Sequence, residues 1–261
     1  MEIIGRGFLA RCLTDAFAQR FPEVTAIAAG VSSHSTVAPE EFVREADLVH
    51  EVLADCKDRR RTVLFFSSAS FAVYGATGVL CTEEDHLVDP PAGYGRNKLA
   101  LESAIRQSGV PHLILRLSHM VGRHQPAHQL LPGLTRQVRA GAVRIHQGVH
   151  RDLLDADDLV DAIGQLFDQG VRDEVFNMAS GSPQDVETIV DGIEKRLGTS
   201  AVRTYVPGEP AVTRVSIRRL QARLPDFRPG LRGAAGYLED LLDTYVPYYA
   251  LRLPRCAGGA D

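Results

Sequence analysis

Met1-Glu2-Ile3-Ile4-Gly5-Arg6-Gly7-Phe8-Leu9-Ala10 reads as a short apolar strand that runs through a tight turn into a helix, placed at Arg11–Arg20. Its small residues stand in glycine-x-glycine-x-x-alanine spacing, one form of the dinucleotide-binding turn. The first glycine permits the turn, the second lets backbone approach a pyrophosphate, and the small third residue packs helix on strand. The helix start behind it offers unpaired N–H groups and a positive dipole end to phosphate. Gly5, Arg6, Gly7, Phe8, Leu9 and Arg11 are therefore candidate cofactor contacts.

Outward from this turn, strand and helix alternate up to Leu117, which argues for a parallel sheet with helices on both faces. The expected elements are strands at Val24–Ala29 and Thr62–Phe66, and helices over Glu40–Cys56 and Tyr94–Gln107. Past Gly122 the pattern loosens. Helices are expected at Leu131–Arg139, Ala156–Phe167, Gln184–Leu197, Ser216–Leu224 and Ala234–Tyr245, with strands at Val143–Ile145 and Glu174–Met178. The segment after Pro247 is rich in glycine and alanine and is expected to fray.

The chemistry sits after the strand Thr62–Phe66. Ser70-Phe71-Ala72-Val73-Tyr74-Gly75 follows it, and Tyr94-Gly95-Arg96-Asn97-Lys98 opens the next long helix. Residues four apart share a helical face. Tyr94 and Lys98 thus place a phenol beside an ammonium, with the Ser70 hydroxyl as a third group. A free phenol titrates near ~10, and working near neutrality needs two or three units of help, roughly 3–4 kcal/mol. An ammonium about 4 Å away supplies about 4 kcal/mol at an effective dielectric near 20. Ser70, Tyr94 and Lys98 are the candidate catalytic residues, suited to moving a proton onto a carbonyl oxygen while a hydride reaches its carbon.

With these pieces in order the chain resembles the extended short-chain dehydrogenases/reductases, specifically the NAD-dependent epimerase/dehydratase group that acts on nucleotide sugars. Ala28-Ala29-Gly30-Val31 looks like the family strand that ends beside the cofactor. Thr82-Glu83-Glu84-Asp85, Asp89-Pro90-Pro91 and Tyr94-Gly95-Arg96-Asn97-Lys98 match its passage into the catalytic helix. Leu115-Arg116-Leu117-Ser118-His119-Met120-Val121-Gly122 looks like the segment flanking the nicotinamide. Arg151-Asp152-Leu153-Leu154-Asp155-Ala156-Asp157-Asp158-Leu159-Val160 and Phe176-Asn177-Met178-Ala179-Ser180-Gly181 resemble later family segments. The resemblance adds Ala28, Ala29, Gly30, Ser67, Ser68, Leu117 and Met120 to the cofactor contacts, alongside Tyr94 and Lys98. It puts Ser70, Phe71, His119 and Arg151 on the substrate, the arginine gripping a diphosphate. It also implies a homodimer in which the helices Glu40–Cys56 and Tyr94–Gln107 pair across a two-fold axis. Phe42, Leu48, Val49 and Val52 are the expected apolar stripe.

Three departures qualify the resemblance. The chain is short between the glycine turn and Ser70, where the family has two more strands and a ribose-reading acid. Val24–Ala29 reads either as the family strand beside the serine strand or as an ordinary second strand; both cut down the adenosine half. The helix Glu40–Cys56 lacks the family's asparagine, having Phe42-Val43-Arg44-Glu45-Ala46-Asp47. Phe71 and Ala72 stand where dehydratases carry aspartate and glutamate for elimination, so a dehydratase is not expected.

The expected fold is α/β: a Rossmann-like doubly wound parallel sheet, shortened in its N-terminal half, with a small interleaved substrate lobe. Residues 1–122 form the dinucleotide-binding part and 123–247 mainly the substrate lobe. Segments near 156–180 return to the main sheet, and 248–261 form a tail. A chain of 261 residues buries a sizeable core. A net charge of −4 points to neither nucleic acid nor membrane. No apolar run approaches the ~20 residues of a membrane span. The strand at Met1 is read as leaving no room for a signal peptide, and the expected location is cytoplasmic. Cys12, Cys56, Cys81 and Cys256 have no metal or disulfide spacing. His124, His128, His146 and His150 are spaced unlike a metal site, and no metal is expected. Asp157 and Asp158 read as capping the helix they begin.

Three functions compete. A ketoreductase would protonate a sugar keto oxygen with Tyr94 while NAD(P)H delivers hydride. An epimerase would keep NAD bound through an oxidation–reduction cycle. A non-catalytic NAD(P)-binding protein would have no need of the acid. The trimmed adenosine side favours the ketoreductase, which exchanges its cofactor each turnover. Loss of the ribose acid, with Arg6 and Arg11 in place, favours NADPH, with NAD as the alternative. The substrate is expected to be a keto-deoxysugar, as a nucleotide-sugar or an aminoglycoside-type sugar. Lysine occurs only at Lys57, Lys98 and Lys195. That bias fits a GC-rich genome and an antibiotic-type pathway.

Overall fold

The computed structural model describes residues 1–31, 38–75, 78–84, 93–207, 212–227, 229 and 233–252. The first half contains β1 (Glu2–Ile4), α1 (Phe8–Phe17), β2 (Val24–Ile27), α2 (Pro39–Asp58), β3 (Thr62–Ser68), α3 (Phe71–Tyr74), β4 (Leu80–Cys81), α4 (Gly93–Gln107) and β5 (His112–Leu117). Then come β6 (His119–Val121), α5 (Leu130–Arg139), β7 (Ala142–His146), β8 (His150–Arg151), β9 (Leu153–Asp155), α6 (Ala156–Asp168) and β10 (Glu174–Met178). The chain ends with β11 (Gln184–Asp185), α7 (Val186–Leu197), β12 (Val202–Val206), β13 (Arg214–Val215), α8 (Arg218–Arg223) and α9 (Gly233–Arg252). Asp85, Asp89-Pro90-Pro91 and Cys256 lie outside the described residues.

Five strands form one parallel sheet in the order β1-β2-β3-β5-β10. Both faces are covered. Leu64 and Phe66 of β3 pack with Leu13 and Phe17 of α1 and Leu159 and Ile163 of α6. Val63 and Phe65, pointing the other way, pack with Val49 and Leu53 of α2 and Leu101 and Ile105 of α4. A strand buried on both faces needs apolar residues at successive positions, which is why this one reads as an unbroken run.

The strand order resolves the alternative left open for Val24–Ala29. An ordinary second strand lies on the far side of the first strand from the serine strand. Here β2 lies between β1 and β3, so it is the strand that ends beside the cofactor. The two strands that would extend the sheet past β1 are missing among the described residues, and β1 is an outer strand.

The second core cluster joins α5, β7, α7 and α9 through Leu131, Val143, Ile189, Ile193, Leu242 and Tyr245. β7 pairs in parallel with β12, a strand the sequence pattern did not reveal. β10 belongs to the main sheet, and α6 packs beneath it.

Four expectations need correction. Helix α1 starts at Phe8 rather than Arg11, directly on the glycine turn. The segment after Pro247 does not fray at once: α9 continues to Arg252, anchored by buried Tyr249, whose hydroxyl donates to the Gly122 carbonyl oxygen (2.8 Å). Residues 248–252 are therefore helix, not tail. The cap of α6 is Asp155, whose carboxylate accepts from the Asp157 N–H (2.9 Å), with Asp157 and Asp158 in the first turn. Val49 and Val52 are core residues against the sheet, while Phe42 and Leu48 are only partly buried; half of the stripe expected to hold a partner is spent inside the chain. No described helix is long and apolar enough to cross a membrane.

Candidate functional site

A cleft of about 340 Å³ opens at the C-terminal ends of the strands, between the sheet and the second lobe. Open parallel sheets place ligands at this edge. Gly7, Phe8 and Leu9 reach it from the first turn, and Ala28, Ala29 and Gly30 from the end of β2. Ser67, Ser68 and Ser70 come from β3 and the residues after it, Tyr94 and Lys98 from α4, and Leu117, His119 and Met120 from β5 and β6. Gly5, Arg6, Arg11, Phe71 and Arg151 are not among the lining residues. Val31 and Ser118, from the segments already quoted, also line it, as do Gln125 and Gln129, which the sequence did not single out.

Each wall has a local cause. Gly5 has φ +138°, and a Cβ there would lie 2.3 Å from the Ala28 carbonyl oxygen, so only glycine lets the turn press against β2. Gly7 is the N-cap of α1 without a side-chain cap, and a Cβ on it would meet nothing within 4 Å. The first-turn N–H groups of α1 therefore stay available to an anion. Arg6 and Arg11 are exposed and form no ion pair among the described residues. Ser67 Oγ is buried and has no hydrogen-bond partner among the described residues.

Beside the cleft, the Ser68 hydroxyl hydrogen-bonds the Tyr94 phenol and lies 2.7 Å from the Ser70 hydroxyl. Ser70 Oγ also accepts from the Ala72 N–H (3.3 Å), capping α3. The three hydroxyls form a chain from strand end to helix. Lys98 Nζ is 5.7 Å from the centre of the Tyr94 ring.

Lys98 has other partners as well as the neighbouring phenol. Its ammonium donates to Glu45 Oε1 (2.7 Å) and to the Phe66 carbonyl oxygen (3.3 Å). Both members of the ion pair are buried. The Tyr94 phenol is pushed up to about 12, by burial first and by the Glu45 carboxylate second, against the Ser68 hydrogen bond. The ammonium expected to lower it already faces a carboxylate.

Arg151 and Asp152 part ways. Asp152 is buried and accepts from the Ser180 N–H (2.7 Å) and hydroxyl (2.9 Å), with burial raising its carboxyl. Arg151 donates to the His150 carbonyl oxygen (2.9 Å). It has no acidic partner among the described residues, and burial lowers its guanidinium. Phe71, 44% exposed, starts α3 beside Ser70. His124 pairs with Asp15 (3.2 Å) and His150 with Asp185 (3.9 Å). No group of three metal-ligating side chains occurs among the described residues.

The donor set fits part of a nicotinamide dinucleotide. The uncapped helix start suits the pyrophosphate, and orphaned Ser67 with Tyr94 and Lys98 offers polar contacts further along. Nothing among the described residues corresponds to the wall that carries adenosine in the full fold.

Comparisons with known proteins agree with this geometry. The model of the NAD dependent epimerase/dehydratase family matches residues 6–179. GDP-6-deoxy-D-mannose reductase of Pseudomonas aeruginosa is 30% identical over 183 residues, which span 63% of this chain and 59% of that relative. RMD from Pseudomonas aeruginosa, solved with NADPH, superposes with a TM-score of 0.72 at 21% identity, over 95% of this chain and 89% of its own. UDP-glucose 4-epimerase of Thermotoga maritima, solved with UDP-glucose, gives 0.75 at 22%, over 94% and 82%. The dTDP-glucose 4,6-dehydratase of Bacillus anthracis, in complex with NAD, gives 0.75 at 19%, over 93% and 77%. At these identities the superpositions establish the fold.

Proposed function

The chain belongs to the NAD dependent epimerase/dehydratase family, and we propose that it is an NAD(P)H-dependent reductase of a keto group on a sugar or nucleotide-sugar. The observation that carries this is the Tyr94 phenol, held protonated beside Ser68 in the cleft that begins at the glycine turn. A bound nicotinamide cofactor supplies the hydride. Tyr94 gives its proton to the forming alkoxide, Ser70 and Ser68 polarise the carbonyl and re-supply the proton, and Lys98 orients the site from below. Phe71 and His119 flank the sugar. Arg151, with no acidic partner among the described residues, grips the anionic part of the substrate, as a guanidinium forks onto phosphate.

An epimerase begins by oxidising its substrate and needs the phenolate first. Burial and the Glu45 carboxylate both hold the phenol in its protonated form. A reductase begins from the protonated phenol. The missing adenosine wall favours the same reading, since a reductase releases its cofactor every turnover. NADPH is the proposed cofactor because the ribose-reading acid is gone and Arg6 and Arg11 are uncommitted. The proposed substrate is a keto-deoxysugar of antibiotic-type biosynthesis, and the assembly a homodimer.

The test is consumption of NADPH with a nucleotide-linked keto-deoxysugar, then with the aminosugar ketone. Tyr94→Phe should lower turnover by roughly 10²–10⁴, the usual loss for a general acid, with cofactor binding unchanged. A phenylalanine variant that keeps the parent rate removes Tyr94 from the chemistry.

A further inference from the structure

The loop that follows β6 is held from the far end of the chain. Gln125 lines the cleft, and both ends of its carboxamide are engaged. Nε2 donates to the Met120 carbonyl oxygen at 2.9 Å, and Oε1 accepts from the Tyr249 hydroxyl at 2.8 Å. The same hydroxyl reaches the Gly122 carbonyl oxygen at 2.8 Å, so one hydrogen is shared between two acceptors on the loop. Tyr249 stands on α9, 124 residues from Gln125, and is 3% exposed. Its ring stacks on Tyr245 and meets Tyr248 edge-on. A phenylalanine would pack there as well; what the hydroxyl adds is the grip on the loop. On its other side the loop meets the glycine turn, since a Cβ on Gly122 would fall 2.9 Å from the Phe8 ring and from Ala156 Cβ. Two more phenols hold α9 to this seam, Tyr245 donating to Asp155 and Tyr237 to Asp158.

We infer that Tyr249 is a positioning residue: through Gln125 and the Met120 carbonyl it presets the cleft wall that takes the nicotinamide end of the cofactor. The inference rests on the reductase reading only for which end of the dinucleotide reacts. The pyrophosphate belongs at the uncapped start of α1. The reacting ring belongs beside Tyr94 and Ser68, at the end of β3. β5 is the neighbour of β3 on the side away from β1, and Leu117, Met120 and Gln125 line the cleft from there onward. A glutamine side chain left to itself has many rotamers, and freezing such a side chain on binding costs roughly 2- to 13-fold in affinity. Held beforehand by Tyr249, Gln125 meets the cofactor already ordered. The brace also ties this wall to the second lobe, because α9 packs on α5 and α7 in that lobe's core.

The experiment compares two ligands on the whole chain by calorimetric titration: NADPH, and 2′-phospho-ADP-ribose, which is the same molecule without its nicotinamide. Tyr249→Phe removes the hydroxyl and keeps the ring. It should raise the dissociation constant for NADPH roughly 2- to 13-fold and leave that for the truncated ligand unchanged. Gln125→Met keeps the length of the side chain, loses both bonds and should do the same. The double variant should bind NADPH no more weakly than either single one, as residues acting in one chain of contacts do. Additive losses in the double variant overturn the proposal. So does a folded Tyr249→Phe protein that binds NADPH as the parent does, or one that loses affinity for both ligands alike, the mark of a fold loosened in general. If neither single variant folds, the parent decides through the side-chain amide of Gln125 followed by nitrogen-15 NMR. That amide should shift when NADPH is added and stay when the truncated ligand is added; an amide that ignores NADPH, or answers both alike, overturns the proposal. A parent that binds neither ligand overturns the cofactor assignment and this inference with it. A selective loss of NADPH affinity in a protein that reduces no ketone supports the role of Tyr249 and refutes the reductase reading alone.

Discussion

Two glycines two residues apart should fail in opposite ways when replaced by alanine. Gly5 holds φ +138°, and its Cβ would sit 2.3 Å from the Ala28 carbonyl oxygen and 2.6 Å from its carbon. Those atoms are backbone at the end of β2 and cannot swing aside. A residue forced into such a conformation costs on the order of 1–3 kcal/mol, and overpacking adds about 1–3 more. Taking about 3 kcal/mol, the melting temperature of Gly5→Ala should fall by roughly 6–12 °C for a chain of this size. Gly7 has φ −79° and ψ −165°, open to any residue, and its Cβ would meet nothing within 4 Å. Gly7→Ala should leave stability level, or raise it by about 0.4–1 kcal/mol through a less flexible unfolded chain. Its methyl would stand where a pyrophosphate approaches the start of α1. An intrusion of about 1–3 kcal/mol corresponds to a dissociation constant for NADPH roughly 5- to 150-fold higher. Thermal melts and calorimetric titration with NADPH read the two effects separately. A Gly7→Ala protein that melts like the parent and binds NADPH as tightly would refute the claim that phosphate passes over this turn.

Arg6→Ala should raise the KM for NADPH about tenfold, ~1.4 kcal/mol, and leave NADH nearly untouched; equal use of both cofactors by the parent removes the preference. Arg151→Ala should raise the KM for a diphosphate-linked sugar by roughly 10- to 150-fold, the range for a lost charge-assisted hydrogen bond, without lowering the melting temperature. An unaltered KM would show that the arginine faces no anion. Light scattering at micromolar concentration should give twice the chain mass, and a monomer mass removes the homodimer.

The sheet was legible because parallel strands buried on both faces leave unbroken apolar runs, as Thr62–Phe66 does. The cleft was legible because its walls are glycines and hydroxyls at strand ends, where spacing carries meaning. The Glu45–Lys98 pair was not, although a signal existed. Glu45, Val49, Val52, Leu53 and Cys56 recur at helical spacing, and all are buried. The expected stripe of Phe42, Leu48, Val49 and Val52 lies in the same phase as Glu45 but counted only its apolar members, and so passed over the glutamate among them. An acid on the core face announces a buried partner. Which cation it meets is a tertiary matter, since Lys98 lies 53 residues away. The helical run through Pro247 was hidden for a related reason: proline costs a helix about 3 kcal/mol in isolation, and the packing of Tyr245, Val246 and Tyr249 around it works against that cost.

The shortened sheet decides more than the missing acid. With two strands missing among the described residues, β1 is an edge of the sheet, and edges invite pairing with other chains. It is blunted by being three residues long and by an exposed Glu2 that pairs with Arg61 at 3.2 Å. The serine strand, two places further in, keeps both its neighbours, so the chemistry is shielded from the loss. A dinucleotide laid across the strand ends would meet the nicotinamide wall and the helix start at Gly7. Under the proposed reductase reading each cycle begins with a fresh reductant and a protonated Tyr94, whereas an epimerase holds an oxidised cofactor between two half-reactions.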